Sequence, residues 1–155
     1  MVLSTHFITS SAVASFTDSP VILVAIAILI HFALDLIPHW QYVYEIPDLK
    51  NKIPELIIDI LAGPLIVTSL VFLLWGLDLH QFFWFFLGGI AGVAPDSLTF
   101  LYIIFPKNKN LRKFYAFHQW IQHLAIGDRK ISWKIGFTFQ LLLNITAIIL
   151  IIINR

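Results

Sequence analysis

Residues 20–37 read PVILVAIAILIHFALDLI, an apolar run in which the only ionisable side chains are His31 and Asp35. A helix needs about 20 predominantly apolar residues to cross the hydrocarbon core of a bilayer, and the shortest spans have about 17. The polar tripeptide TDS directly precedes Pro20, and a capping residue followed by proline is typical of a helix start. We therefore predict a membrane-spanning helix over residues 20–37.

The composition of the whole chain also favours a membrane protein. Of its 155 residues, 59% are hydrophobic and 12% are charged, whereas soluble domains have roughly 45–50% apolar and about 25% charged residues. The mean hydropathy is +0.86. A net charge of +1 gives no basic surface for nucleic acid. Because the chain has no cysteine, disulfides and thiolate metal sites are excluded, and any metal must be bound by His, Asp or Glu.

The rest of the chain divides into further helical segments. Three more apolar runs are long enough to span a bilayer, at residues 53–75, 82–105 and 135–153. Residues 5–16 are too short to span and predict a half-helix, while residues 111–124 carry apolar side chains at the spacing of an amphipathic interfacial helix. We predict an all-α fold and a single integral membrane domain over residues 1–155. It would be a polytopic helix bundle with about four transmembrane helices, the N-terminal half-helix and a cytoplasmic interfacial amphipathic helix.

The basic residues predict the orientation of the bundle. Nine of the ten Lys and Arg residues lie in residues 38–52 and 106–134, two loops that fall on the same side of a four-span bundle. Cytoplasmic loops of membrane proteins carry an excess of Lys and Arg. We therefore expect both loops to be cytoplasmic, in a protein of the plasma membrane or bacterial inner membrane.

Ionisable side chains occur within or beside these apolar segments. A charged group at the centre of a bilayer costs roughly 2.5–3.5 kcal/mol on insertion scales. Counted from the cytoplasmic end of each span, four of these groups lie at similar depths of about 5–13 Å, namely Asp35, His31, Asp59 and Asp96. Imidazole and carboxylate together bind divalent metals such as Zn²⁺, Mn²⁺ and Fe²⁺. We predict a metal site formed by His6, His31, Asp35, Asp59, Asp96, His118 and His123.

Each of these residues also has a simpler interpretation. His31 and Asp35 are one helical turn apart and could form a buried hydrogen bond that holds helices together. Asp59 could complement the positive end of its own helix. His118 and His123 are five residues apart, about 140° around a regular helix, so they could bind one ion only if the helix bends or ends between them. On a basic amphipathic helix they could instead contact lipid head groups.

Residues 88–96, GGIAGVAPD, contain three glycines and one proline. The glycines allow close approach of another backbone, and Pro95 predicts a kink or break in the helix, with Asp96 at the break. Irregular backbone at membrane depth is tolerated where it is buried in protein or lines a cavity. Asp96 is therefore expected to be buried in protein or to line a cavity.

Four short motifs can be compared with known families: Thr5-His6-Phe7, His31-x-x-x-Asp35-x-x-Pro38-His39, the glycine-rich run ending in Pro95-Asp96, and His118-x-x-x-x-His123. Together they resemble the bacterial inner-membrane metal-dependent hydrolases and, more distantly, the zinc-dependent phospholipase C and single-strand nuclease group. The resemblance implies hydrolysis of a phosphoester, such as a phospholipid-like substrate, at a cluster of two or more zinc or similar ions.

The resulting hypothesis is a membrane-embedded, metal-dependent hydrolase that works at the cytoplasmic membrane interface. Asp96 and Asp35 are its candidate catalytic carboxylates. Arg112 and Lys113, on the same predicted helix as His118, are candidate contacts for a substrate phosphate. Its expected partners are membrane lipids and not nucleic acid.

Two other classes of function could use the same buried residues. An ion or proton transporter needs a polar path to the outer face, where the spans offer only Thr68, Ser69, Gln140 and Asn144. A structural membrane protein would use buried polar groups to pair its helices.

Overall fold

The computed structural model describes residues 2–37, 39–40, 51–126 and 132–155. Within these ranges the chain folds into six α-helices and one short 3₁₀ helix, without a β-strand. The α-helices are α1 (Leu3–Ser11), α2 (Pro20–Asp35), α3 (Ile53–Trp75), α4 (Leu79–Ile104), α5 (Lys109–Ile126) and α6 (Trp133–Ile153), and the 3₁₀ helix (Ala12–Phe16) follows α1. This architecture confirms the predicted all-α helix bundle.

Three of the predicted spans, α3, α4 and α6, form helices long and apolar enough to cross a membrane. The fourth, α2, is equally apolar but has 16 residues, just below the length of about 17 found in the shortest spans. It begins at Pro20, where the Ile22 N–H donates to the side chain of Ser19. It ends at Asp35, two residues before the predicted end, because a residue directly before a proline, here Ile37 before Pro38, disfavours helix.

The outer faces of these helices are apolar. The side chains of Val21, Leu73 and Ile153 are 77%, 77% and 67% exposed, and many other large apolar residues share this exposure. Soluble monomers rarely expose contiguous apolar patches larger than a few hundred Å², so this surface fits a lipid environment. The sidedness of the two basic loops stays a prediction, and residues 38, 41–50 and 127–131 of those loops lie outside the described ranges.

The short N-terminal helix α1 lies inside the bundle and packs on α2, α3, α4 and α6. Glycines of α3 and α4 make this packing possible, as predicted for the glycine-rich run. A Cβ atom at Gly92 would overlap the Ser10 side chain, and one at Gly63 would lie 2.9 Å from Phe7 Cβ. The predicted half-helix is therefore confirmed as α1 with its 3₁₀ extension, and its backbone approaches the spanning helices closely.

The buried start of α1 is stabilised by polar side chains from other helices. The first N–H groups of a helix have no partner within the helix, and an unsatisfied N–H inside a membrane costs several kcal/mol. The two oxygens of Asp59 on α3 accept from the N–H groups of Leu3 (2.7 Å) and Ser4 (2.9 Å). The Val2 N–H donates to Gln140 Oε1 on α6 (3.2 Å). Asp59 therefore complements the N-terminal end of α1, not of its own helix.

The predicted break at Pro95 is absent, because α4 runs continuously from Leu79 to Ile104 with Pro95 inside it. A proline removes one helical hydrogen bond but does not have to end a helix that is held by tertiary packing. Asp96 therefore lies on a continuous helix, one residue beyond the proline and one turn beyond Gly92.

Candidate metal centre

The first two residues of the site come from α2. His31 and Asp35 are fully buried, and His31 Nε2 lies 3.4 Å from Asp35 Oδ2, so both side chains point in the same direction as predicted. His31 Nδ1–H donates to the Gly92 carbonyl of α4 (2.7 Å). Because a carbonyl can only accept, this bond fixes the proton on Nδ1 and leaves Nε2 of the neutral ring as the free donor atom for a metal.

The third residue, His118, comes from α5. Its Nε2 lies 2.8 Å from Asp35 Oδ2 and 3.1 Å from His31 Nε2. Its Nδ1 lies 2.8 Å from Thr99 Oγ1 on α4. Metal-binding histidines usually donate their second ring N–H to an oxygen of this kind, which orients the ring. The two imidazoles therefore share one arrangement, with Nδ1 at an oxygen and Nε2 at the common centre.

Asp96 of α4 completes the group. Its Oδ1 lies 3.7 Å from His118 Nε2 and 4.0 Å from His31 Nε2. One donor atom from each of the four side chains lies within 4.8 Å of all the others, and we call His31, Asp35, Asp96 and His118 the metal cluster.

The spacing of the four donor atoms fits metal coordination. Tetrahedral ligands with metal–ligand bonds of about 2.0–2.1 Å are about 3.3 Å from one another. The nitrogen–nitrogen and nitrogen–oxygen distances in the metal cluster range from 2.8 to 4.0 Å, on either side of that value. The metal cluster could therefore hold a metal ion with only small side-chain adjustments.

His6 of α1 approaches the same two carboxylates from the other side. Its Nε2 lies 3.2 Å from Asp35 Oδ1 and 3.9 Å from Asp96 Oδ2, and the side chain is 0% exposed. Its ring stacks on His31 at a centroid distance of 4.1 Å. Within the described part of the chain, neither ring nitrogen of His6 makes a hydrogen bond of acceptable geometry, and neither does Asp96 Oδ2. Buried polar atoms without partners are rare in proteins and often indicate an ion or water that completes the site.

Each carboxylate therefore presents one oxygen to His31 and His118 and the other to His6. Asp35 Oδ2 and Asp96 Oδ1 face the first pair, and Asp35 Oδ1 and Asp96 Oδ2 face His6. This is the arrangement that carboxylates have when they bridge two adjacent metal positions.

Four of the seven predicted ligands form the metal cluster, His6 lies beside it, and Asp59 and His123 are not brought to it. Both oxygens of Asp59 accept backbone N–H groups of α1, so this residue caps α1, and its predicted ligand role stays a prediction. His123 lies on an exposed part of α5. Because α5 continues through to Ile126, the regular helix points His118 and His123 in different directions, and only His118 reaches the metal cluster. Arg112 and Lys113 are exposed on α5, between one and two turns before His118.

Two polar residues beside the metal cluster were missed by sequence reasoning. Thr99 lies at His118 Nδ1, and Gln122 Nε2 donates to Asp35 Oδ2 (3.2 Å). Gln122 is four residues after His118, and Thr99 is three residues after Asp96, so both occupy the same helix faces as predicted ligands. That spacing was the signal in the sequence from which both residues could have been predicted.

A further buried histidine, His39, follows α2 but is not part of the metal cluster. Its Nδ1–H donates to the Ile37 carbonyl (2.7 Å), and it is 1% exposed. Burial lowers the pKa of His39 to about 4. The ring is therefore neutral near pH 7.

A cavity of about 490 Å³ lies beside the metal cluster, between α1, α3 and α4. Asp96 lines this cavity as well as belonging to the metal cluster, and its side chain is 19% exposed. Within the described residues, the site is therefore accessible at Asp96.

Comparisons of the chain with protein-family models, with curated proteins and with solved structures gave no match. What the site can do is therefore inferred from its own geometry.

Proposed function

We propose that the protein is a membrane-embedded, metal-dependent hydrolase that acts on a phosphoester at the cytoplasmic membrane interface. The observation that carries this proposal is the convergence of three imidazoles and two carboxylates from four helices, with spacings close to those of metal ligands. Bringing such groups together in an apolar bundle is costly, and a bound cation would offset that cost.

Zinc is the proposed ion. Two imidazole nitrogens and two carboxylate oxygens in a roughly tetrahedral arrangement suit Zn²⁺, which takes His at about 2.0–2.1 Å and Asp at about 2.0–2.2 Å. The orientation of Asp35 and Asp96 towards both His6 and the His31–His118 pair supports a second, adjacent ion. Two metal ions about 3.5–4 Å apart are common in enzymes that hydrolyse phosphoesters.

The exposure of Asp96 supports a catalytic rather than a structural site. Structural zinc sites are closed by protein ligands, whereas catalytic sites keep a position for water or substrate. The position between His6, Asp35 Oδ1 and Asp96 Oδ2 has three protein donors among the described residues and would keep such a place. A metal in such a position would supply a water-derived nucleophile near neutral pH and would stabilise charge on a phosphoryl oxygen. In this proposal Asp96 and Asp35 are the catalytic carboxylates that hold the centre, and Asp96 lies at the substrate side. Arg112 and Lys113 are proposed to contact the substrate phosphate from the membrane surface.

The first test is the metal content of the purified protein, measured by elemental analysis. We expect a stoichiometric divalent metal in the wild type and its loss in His118→Ala. The matched control is His123→Ala, on the same helix and exposed, which should retain the metal. A wild type without metal, and with a melting temperature that does not change on adding a chelator, would contradict the proposal.

The second test is catalysis by the metal-loaded protein. We expect hydrolysis of a soluble phosphomonoester or phosphodiester that is lost in Asp96→Asn, while His80→Ala, at the exposed start of α4, remains active. Variants that lose only thermal stability would favour a structural role, in which the hydrogen bond from Gln122 to Asp35 pairs helices. Ion flux into liposomes that disappears in Asp96→Asn would favour a transporter.

A further inference from the structure

The cavity beside the metal cluster has two chemically different parts. Apart from Ser97, its wall consists of apolar side chains, including Phe7 of α1, Ile60 of α3 and Phe100 of α4, and two carboxylates, Asp59 and Asp96. Asp59 has both oxygens engaged with the N–H groups of α1, which compensates its charge. The polar function of the cavity is therefore concentrated at Asp96, where the cavity meets the metal cluster.

The apolar part opens towards the outside of the bundle. Ile60, Phe100 and Leu101 line it and are 48%, 44% and 38% exposed, so the cavity is a groove between α3 and α4 and not a closed void. Both helices are long and apolar enough to cross a membrane. In a bilayer this opening faces lipid chains, and a molecule could enter it sideways from the membrane.

We propose that this groove binds the acyl chain of a membrane lipid whose phosphate group lies at the metal cluster. The inference rests on the proposed function and extends it, because it makes the substrate an amphiphile and gives the apolar chain its own site. Continuity supports this occupant, since Asp96 is both a wall of the groove and a member of the metal cluster. A cation beside an apolar groove complements a molecule with an anionic head and an apolar tail. The volume of about 490 Å³ lies within the range of about 300–1,000 Å³ that is usual for ligand sites.

Ser97 offers a way to fill the groove at a residue that is not a member of the metal cluster. It lines the groove from α4, and its hydroxyl donates to the Val93 carbonyl of the same helix (3.0 Å). Ser97→Trp places a large side chain in the path of the acyl chain. The matched control is Thr146→Trp on α6, where an exposed hydroxyl makes the equivalent bond to the Leu142 carbonyl (2.9 Å) away from the groove.

The experiment measures equilibrium binding of three probes to the metal-loaded protein: a long-chain monoacyl phosphate, a short-chain monoacyl phosphate and inorganic phosphate. We expect the long-chain probe to bind at least about ten-fold more tightly than the short-chain probe. We expect Ser97→Trp to weaken binding of the long-chain probe by about ten-fold, equivalent to about 1.4 kcal/mol, and to leave binding of inorganic phosphate unchanged. Thr146→Trp should behave as the wild type.

The possible failures are distinguishable. If the metal is bound and a soluble phosphoester is hydrolysed, but chain length and Ser97→Trp have no effect, the groove inference is overturned and the proposed function stands. If the purified protein holds no metal, the proposed function fails and the groove inference fails with it. Equal weakening of the long-chain probe by Ser97→Trp and Thr146→Trp would also overturn the inference, because the effect would then not be specific to the groove.

Discussion

Replacing Thr99 with valine tests whether His118 is a metal ligand oriented by its neighbour. Valine keeps the shape of threonine and removes only the hydroxyl that lies 2.8 Å from His118 Nδ1. If His118 binds a metal through Nε2, losing this partner should lower the metal affinity, because outer partners fix the orientation and tautomer of a ligating ring. The effect should be strongest on the metal affinity and small on the fold, since Thr99 is only partly buried.

The expected loss of metal affinity depends on the other contacts that restrict the His118 ring. Loss of an outer partner typically lowers metal affinity by about 10–100-fold, equivalent to about 1.4–2.7 kcal/mol. His118 also packs edge-on against Phe32, with ring centroids 5.8 Å apart, and lies 6.1 Å from the ring of Phe114. Because these contacts still restrict the ring, we expect a loss near the lower limit, about ten-fold.

Competition with a chromophoric zinc chelator measures this affinity directly. Thr99→Ser keeps the hydroxyl and should stay close to the wild type. Thr138→Val is the control for a threonine-to-valine change elsewhere, since the Thr138 hydroxyl donates to the Lys134 carbonyl on the exposed side of α6. An unchanged affinity in Thr99→Val would refute the assignment of the hydroxyl as an orienting partner, and equal losses in Thr99→Val and Thr138→Val would refute its specificity.

Three further predictions concern stability. Asp59→Asn should destabilise the protein by about 1.5–3 kcal/mol in chemical denaturation, because the amide cannot replace the charged acceptor of the Leu3 and Ser4 N–H groups; an unchanged midpoint would exclude the capping role. Gly92→Ala should cost about 1–3 kcal/mol because its Cβ would overlap Ser10, and adding Ser10→Gly should recover part of the loss. Burial lowers the pKa of His39 to about 4, whereas a histidine in the unfolded chain has a pKa of about 6.5. Between these two pH values the unfolded chain binds a proton that the folded protein does not bind, so stability should fall as the pH decreases from about 6.5 to about 4. The melting temperature of His39→Gln should depend less steeply on pH across that window than the melting temperature of the wild type.

The helices could be predicted well because their signals are local. The predicted span 53–75 coincides with α3, and the predicted interfacial helix 111–124 lies within α5. The shared direction of His31 and Asp35 followed from their spacing within one helix. By contrast, the break expected at Pro95 did not occur: α4 is continuous through the proline, and both α1 and α2 pack against α4.

The site could be predicted only in part, because the depth of a residue in the membrane does not determine the direction in which its side chain points from the helix. Asp59 shares the estimated depth of the other acidic residues, but its oxygens are directed at the N-terminus of α1. His123 shares a motif with His118 but lies on an exposed part of α5. Nothing in the sequence indicated that Gly92 would present its carbonyl to His31 Nδ1, since this contact joins residues on two different helices.

The sequence by itself determined the environment and the chemistry of this protein: apolar runs long enough for a membrane, no thiol ligands, and a small set of imidazoles and carboxylates. Tertiary structure decided which of them meet. The apolar periodicity that forms a helix acts over a few residues, whereas the approach of His6, His31, Asp96 and His118 to Asp35 depends on how α1 packs between the longer helices. That packing depends on complementary surfaces of residues far apart in the chain, such as Gly92 against Ser10, and so it is settled only in the folded molecule.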